Sequence, residues 1–142
     1  MNTIRHILQI KGNDLWSISP NATVFEALRL MAAKDVGALL VTDQDRMVGI
    51  LSERDYARKI ILQGKTSRET LVREIMTPVV FTIHPDQTVD ECMDLMTQRR
   101  IRHVPVIEGD TLLGIISIGD VVNHIIHRQR KTISRLEGQI QR

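Results

Sequence analysis

The chain has 142 residues, 42% hydrophobic and 25% charged, with a formal net charge of +2. Such a composition argues against a disordered or membrane-embedded chain, and the charge is too small to indicate nucleic acid, although the isoelectric point is about 9.0. A single cysteine, Cys92, leaves no disulfide framework and no thiolate metal cluster, and points to a reducing, cytoplasmic compartment.

The opening MNTIRHILQIKGND lacks the apolar core and small-residue site of a secretory signal. LWSIS reads as a short extended piece that runs into Pro20. Thr23-x-x-Glu26 is a capping box, and Val24, Ala27, Leu28 and Met31 then fall on one helical face. GALLVTD and MVGILS read as two strands around the short turn Gln44-Asp45. A second helix is expected from Ser52, carrying Tyr56, Ala57, Ile60 and Ile61. QGKTSRETLVREIM reads as a helical linker with Ser67 as its cap. VVFTIH is again extended, Thr88-x-x-Glu91 is again a capping box, and Val89, Cys92, Met93 and Met96 share a face. HVPVIE and LLGIIS flank the turn Gly109-Asp110, and a helix from Ser117 carries Val121, Val122, Ile125 and Ile126. The basic tail HRQRKTISRLEGQIQR is expected to be a frayed helix.

The chain thus reads as β-α-β-β-α written twice. Sliding it over itself by 65 positions aligns Ile18–Leu62 with Ile83–His127 without a gap, giving 15 identities over 45 positions. Among them are Pro20/Pro85, Thr23/Thr88, Gly49/Gly114, Ser52/Ser117 and Asp55/Asp120. This is a tandem duplication. A single unit of this size buries too little apolar surface to be comfortable alone.

The best-kept stretch is GILSERD against GIISIGD. On spacing alone two readings stand. In the bland one, Ser52 and Ser117 cap a helix, Asp55 and Asp120 complement its positive end, and the glycine relieves crowding. In the functional one, a strand ending near glycine feeds a helix N-terminus able to hold an anion. The carboxylate then accepts from ribose hydroxyls and the serine donates to phosphate.

VGILSERD and LGIISIGD, together with RHVPVIEGDTLLG, PNATVFEALRLM, PDQTVDECMDLM and VREIMTP, resemble the CBS domain, named for cystathionine beta-synthase. The resemblance covers about residues 8–127. It implies an α/β fold of two pseudo-symmetric β-α-β-β-α CBS repeats packed sheet to sheet, a Bateman module, with repeats at 8–65 and 73–130 and a basic tail at 131–142. It also implies a regulatory protein that binds AMP, ADP or ATP, with NAD(H) or S-adenosylmethionine as other ligands, in the stand-alone form without an attached enzyme or channel.

Carried over residue by residue, Asp55 and Asp120 match the ribose-binding aspartate, and Ser52 and Ser117 the phosphate-side hydroxyl. The resemblance groups Asp55 with Thr77, Val79, Val80, Ile101, Arg102, His103 and Pro105, and Arg54 flanks that aspartate in sequence. It groups Asp120 with Lys11, Gly12, Val36, Gly37 and Ala38. Leu40 departs from the pattern, since it stands where the second repeat has Pro105. The arginines give the Asp55 site the better expectation for phosphate.

Other candidates have blander explanations. His124-x-x-His127 has helical spacing for a metal but no further ligand nearby in sequence, so it reads as a pair of helix-end histidines. Cys92 sits among apolar helix positions and reads as core, and no serine or cysteine has a recognisable base partner, so no enzyme is expected. The cations of QRRIRH suit a helix C-terminus or a phosphate. The expected partners are an adenine nucleotide, a second copy in a homodimer and a regulated protein, without membrane or nucleic acid. The competing reading is a structural interaction module with empty clefts, whose basic tail contacts a partner or nucleic acid.

Overall fold

Threonine hydroxyls start three of the helices, because each accepts a backbone N–H that the first turn leaves orphaned. The computed structural model describes residues 2–12, 15–78 and 81–140. The chain divides into two compact units, Leu15–Val80 and Phe81–Arg142, the latter joined by Met1–Asp14.

In the Leu15–Val80 unit, β1 (Ser17–Ile18) pairs parallel with β2 (Ala38–Asp43), and β2 pairs antiparallel with β3 (Arg46–Ser52). The hairpin turn places both Gln44 and Asp45 at positive φ, 50° and 64°, which matches the twist of its strands. Helix α2 (Val24–Lys34) is capped by Thr23, whose hydroxyl accepts from the Glu26 N–H at 3.1 Å. It buries Val24, Ala27 and Met31 against Leu39, Val41 and Leu51.

The helix after Ser52 is shorter than its apolar pattern predicts. An α-helical turn α3 (Glu53–Tyr56) passes into a π-helical turn over Ala57–Ile61. Ile60 is thereby buried while Ile61 is left 58% exposed.

The linker is a correction. Only α4 (Val72–Ile75) is helical, and Ser67 caps nothing; its carbonyl instead accepts from Phe25 N–H at 2.9 Å. Two features stop a helix. Gly64 sits at φ 69°, and Thr70 Oγ1 donates to the Thr66 carbonyl at 2.7 Å, a local bond that competes with helix.

In the other unit, α1 (Ile4–Lys11) is capped by Thr3, and α5 (Val89–Arg99) by a reciprocal Thr88–Glu91 box. Strands β4 (His103–Glu108) and β5 (Thr111–Ser117) form an antiparallel pair. The expected strand VVFTIH contributes one parallel bridge, Ile83 to Val106. Helix α6 (Ile118–Ile140) runs without a break through the predicted frayed tail. Its core, with α1 and α5, collects Ile4, Leu8, Val89, Cys92, Met96, Val104, Ile116 and Val121.

A second, shorter repeat accounts for the membership of the units. IRHIL (4–8) and VREIM (72–76) are 68 residues apart and make equivalent bonds. Ile4 and Arg5 N–H groups donate to Gln87 and Pro85 carbonyls at 3.0 and 2.8 Å; Val72 and Arg73 donate to Ala22 and Pro20 at 2.8 and 2.9 Å. The segment that precedes the first repeat therefore completes the unit of the second, and the segment between the repeats completes the unit of the first. Among the described residues, no helix is long and apolar enough to cross a membrane.

Candidate functional site

Each hairpin returns along a glycine-bearing strand, β3 or β5, and its last residue is the serine that caps the next helix. In the Leu15–Val80 unit the Ser52 N–H and hydroxyl both donate to Asp55 Oδ2 at 3.0 Å, and the Asp55 N–H donates to Ser52 Oγ at 3.2 Å. Asp55 Oδ1 accepts from Thr77 Oγ1 at 2.9 Å and faces Lys59 Nζ at 3.2 Å. Lys59 also donates to the Ile75 carbonyl at 2.9 Å. Both carboxylate oxygens are thus engaged, and the side chain is only 13% exposed.

The Asp120 site follows the same plan with different partners. Ser117 N–H donates to Asp120 Oδ2 at 2.8 Å, and Asp120 N–H donates to Ser117 Oγ at 3.1 Å. Lys11 Nζ donates to the same Oδ2 at 2.7 Å and to the Ile115 carbonyl at 2.8 Å. Among the described bonds, Oδ1 carries none. Burial alone would raise the Asp120 pKa, but the Lys11 ammonium and the Ser117 N–H outweigh it and hold the carboxyl below its ordinary value. A groove of about 290 Å³ opens beside this pair, with Ile7 and Ile10 of α1 on one side and Asn123, His124 and His127 of α6 on the other.

The glycines of the repeated motif have a packing reason. A Cβ on Gly49 would meet Met76 Sδ at 2.9 Å and the Thr77 carbonyl at 3.0 Å; one on Gly114 would meet Leu8 Cδ2 at 2.7 Å. Each glycine lets the IRHIL or VREIM segment lie close on its strand.

The remaining predicted residues fall as follows. Val36, Gly37 and Ala38 share a unit with Ser52, the Gly37 carbonyl accepting from Glu53 N–H at 3.1 Å and Ala38 pairing with Ser52. Ile101, Arg102, His103 and Pro105 share a unit with Ser117, where the Arg102 carbonyl accepts from Ile118 N–H at 2.9 Å and His103 pairs with Ser117. Gly12 ends α1 at φ 91°. Arg54 is exposed on the first turn of α3. Val79 and Val80 lie outside the described residues.

The histidine pair is a correction too. His124 and His127 sit within α6 rather than at its end, because the helix continues to Ile140. His124 packs edge-on to His6, ring centroids 5.7 Å apart, with its Nε2 buried and unpaired among the described residues. Burial, then the positive charges of His6, Arg128 and His127, lower its pKa. His84, Asp86 and Glu108 offer three ligand atoms within 4.8 Å, but Arg5 already bonds both carboxylates at 3.0 and 2.8 Å. Cys92 is fully buried, and burial pushes its thiol up to about 11. Lys59 and the His6–His124 contact escaped the sequence reading. The 68-residue echo of IRHIL in VREIM is the signal that would have placed α1 beside α6.

Residues 5–62 and 72–127 each match the CBS domain family. The chain is 41% identical to the mitochondrial CBS domain-containing protein CBSX3 of Arabidopsis thaliana, over 98% of this chain and 72% of that one. A solved structure of a protein with CBS domains from Burkholderia ambifaria MC40-6 is 48% identical and superposes with a TM-score of 0.85, covering 89% of this chain and 96% of that one. A hexameric CBS-CP12 protein from bloom-forming cyanobacteria is 33% identical with a TM-score of 0.77, covering 84% and 66% of the two chains.

Proposed function

The chain belongs to the CBS-domain family as a tandem CBS-domain protein, and from that premise we propose that it is a regulatory module that binds an adenine nucleotide. AMP, ADP and ATP are the first ligands in this reading, and NAD(H) and S-adenosylmethionine follow. The bound nucleotide alters how the chain contacts a second copy or a regulated protein in the cytoplasm, and the module itself performs no catalysis.

The observation that carries this reading is the Ser-x-x-Asp box kept in both repeats, with its carboxylate half-buried and held in one orientation. At Asp120, Oδ1 carries no described bond and can accept from a ribose hydroxyl, and Lys11 adds a cation to the same box. In the other unit Ser52 and Thr77 supply hydroxyls around Asp55.

One observation favours the competing reading of a structural module. Asp55 already accepts from Ser52 and Thr77 and pairs with Lys59, so capping alone accounts for it.

A thermal-shift screen separates the two. At about 100 times its dissociation constant, a nucleotide adds roughly 2.7 kcal/mol, on the order of 5–10 °C in melting temperature. GMP and CMP are expected to do much less. Combining Asp55→Ala with Asp120→Ala should abolish the shift and leave a folded protein, because the Ser52 and Ser117 hydroxyls still accept the residue 55 and 120 backbone N–H groups. No shift with any of the adenosine ligands at millimolar concentration leaves the structural module as the function.

A further inference from the structure

The two Ser-x-x-Asp boxes are alike in sequence and differ in how far the chain itself fills them. An ionised carboxylate offers about four lone pairs to donors. At Asp55 the protein fills them all. Ser52 N–H and Ser52 Oγ each donate to Oδ2 at 3.0 Å, Thr77 Oγ1 donates to Oδ1 at 2.9 Å, and Lys59 Nζ stands 3.2 Å from the same Oδ1. At Asp120 the described bonds come from Ser117 N–H at 2.8 Å and Lys11 Nζ at 2.7 Å, and both end on Oδ2. The Ser117 hydroxyl also favours the charged carboxylate; counted as a third donor, it still leaves a lone pair open.

The difference lies in two positions of the repeats. Lys59 stands 65 residues before His124, and Thr77 stands 68 residues after Gln9. Among the described bonds, neither His124 nor Gln9 reaches Asp120; the His124 ring packs against His6 instead. Lys59 comes to Oδ1 from the π-helical turn Ala57–Ile61, whereas α6 is α-helical through the matching stretch. A π-helical turn next to an α-helix often marks a functional position. The ammonium is anchored twice, on Asp55 and on the Ile75 carbonyl at 2.9 Å, and the carboxylate it covers is only 13% exposed.

We infer that Lys59, together with Thr77, is an internal occupant of the Asp55 carboxylate and decides what that box can bind. The inference rests on the adenine-nucleotide reading and deepens it. The vicinal hydroxyls of a ribose are donors in search of a carboxylate. Asp120 can accept at Oδ1 as it stands. Asp55 accepts only after Lys59 and Thr77 leave Oδ1. Thr77 is a hydroxyl that can turn to another acceptor, but Lys59 is a charge that loses its counter-ion. A ligand with both a diol and an anion offsets that loss, because its phosphate can take the released ammonium. A diol alone cannot. The Asp120 box therefore takes nucleosides and nucleotides, while the Asp55 box takes nucleotides and fills second.

The test is nuclear magnetic resonance on the full, isotope-labelled chain, titrated with adenosine and with AMP. The Ser52 and Ser117 amides each donate to their own aspartate, so their signals report the two boxes separately. In the wild type, adenosine should move Ser117 first and move Ser52 only at about tenfold more ligand or beyond, the effect of losing one charge-assisted hydrogen bond. AMP should move both and narrow that gap. In Lys59→Met, adenosine should move Ser52 nearly as early as Ser117, and AMP should lose its advantage there. Lys59→Arg keeps the cation and should behave as the wild type does. Melting by circular dichroism checks that each variant is folded.

A wild type in which adenosine moves Ser52 as early as Ser117 overturns the inference. So does a Lys59→Met variant whose Ser52 signal answers adenosine as the wild type does; if Ser117 still responds there, the adenine-nucleotide reading survives and only the role of Lys59 falls. Signals that stay in place with both ligands, in the wild type and in Lys59→Met alike, would overturn the reading and the inference together.

Discussion

Asp55 and Asp120 hold equivalent places and carry different loads. Asp55 spreads its charge over Ser52, Thr77 and Lys59, while Asp120 leans on one ammonium, Lys11, and on the Ser117 N–H. Removing a cation should therefore hurt the second site more. Lys11→Met is expected to cost about 1–2 kcal/mol, since it leaves a partly buried carboxylate short of a charged donor. Lys59→Met should cost roughly half that, because the Thr77 and Ser52 bonds remain. Urea unfolding of the two variants checks the order; equal losses, or a larger one for Lys59→Met, would mean that the pairs are solvent-screened and contribute little. The sequence made both aspartates and both serines visible, because a duplicated box at fixed spacing is a local pattern. It could not show Lys59, which reaches Asp55 from the π-helical turn, nor weigh Thr77 as a hydroxyl donor, because those contacts depend on where the chain returns.

The strands and the segments laid across them show where local reading stops. Both hairpins, the α2 and α5 faces and the Thr88–Glu91 box were legible, since each follows from a period of 2 or 3.6 or from a four-residue cap. The π-helical turn, the short α4 and the unbroken α6 were not. In the linker a local side-chain bond overrides the pattern, as Thr70 shows. The role of the glycines was left open by the sequence and is settled by contact. Gly49→Ala is expected to cost about 1–3 kcal/mol, because its new methyl meets the Thr77 carbonyl, a backbone atom that cannot step aside. Gly114→Ala should cost less, because Leu8 Cδ2 is the end of a side chain that can turn. Chemical unfolding of the pair tests this ranking. The hairpin offers the opposite case. Asp45 sits at φ 64°, and Asp45→Gly there should gain about 0.5 kcal/mol or more in the same assay, as it relieves the left-handed backbone of a two-residue turn.

For the protein as a whole, pH acts through four groups in one unit, and the signs can be worked out for each. His124 has its pKa lowered from 6.5 by burial and by the positive charges of His6, Arg128 and His127. The unfolded chain therefore binds that proton first, so the stability tied to a neutral His124 is present above pH 6.5 and is lost as pH falls below it. Asp120 has its pKa lowered from 3.8, with burial opposed and outweighed by Lys11 and Ser117. Its contribution is present above pH 3.8 and is lost as pH falls through the folded value; Glu91, lowered by Gln87 and Thr88, adds to the same range. Cys92 is raised from 9.0 to about 11 by burial, so its contribution is full below pH 9 and disappears as pH climbs to about 11. The urea midpoint of the intact chain should therefore fall as pH drops below 6.5, fall further as it drops below 3.8, and decline on the alkaline side above 9. His124→Asn should flatten the first step and leave the second in place, and Lys11→Met should shrink the second and leave the first. A midpoint that rises as pH drops below 6.5 would show that protonated His124 is welcomed by the fold, and that its buried Nε2 has found an acceptor.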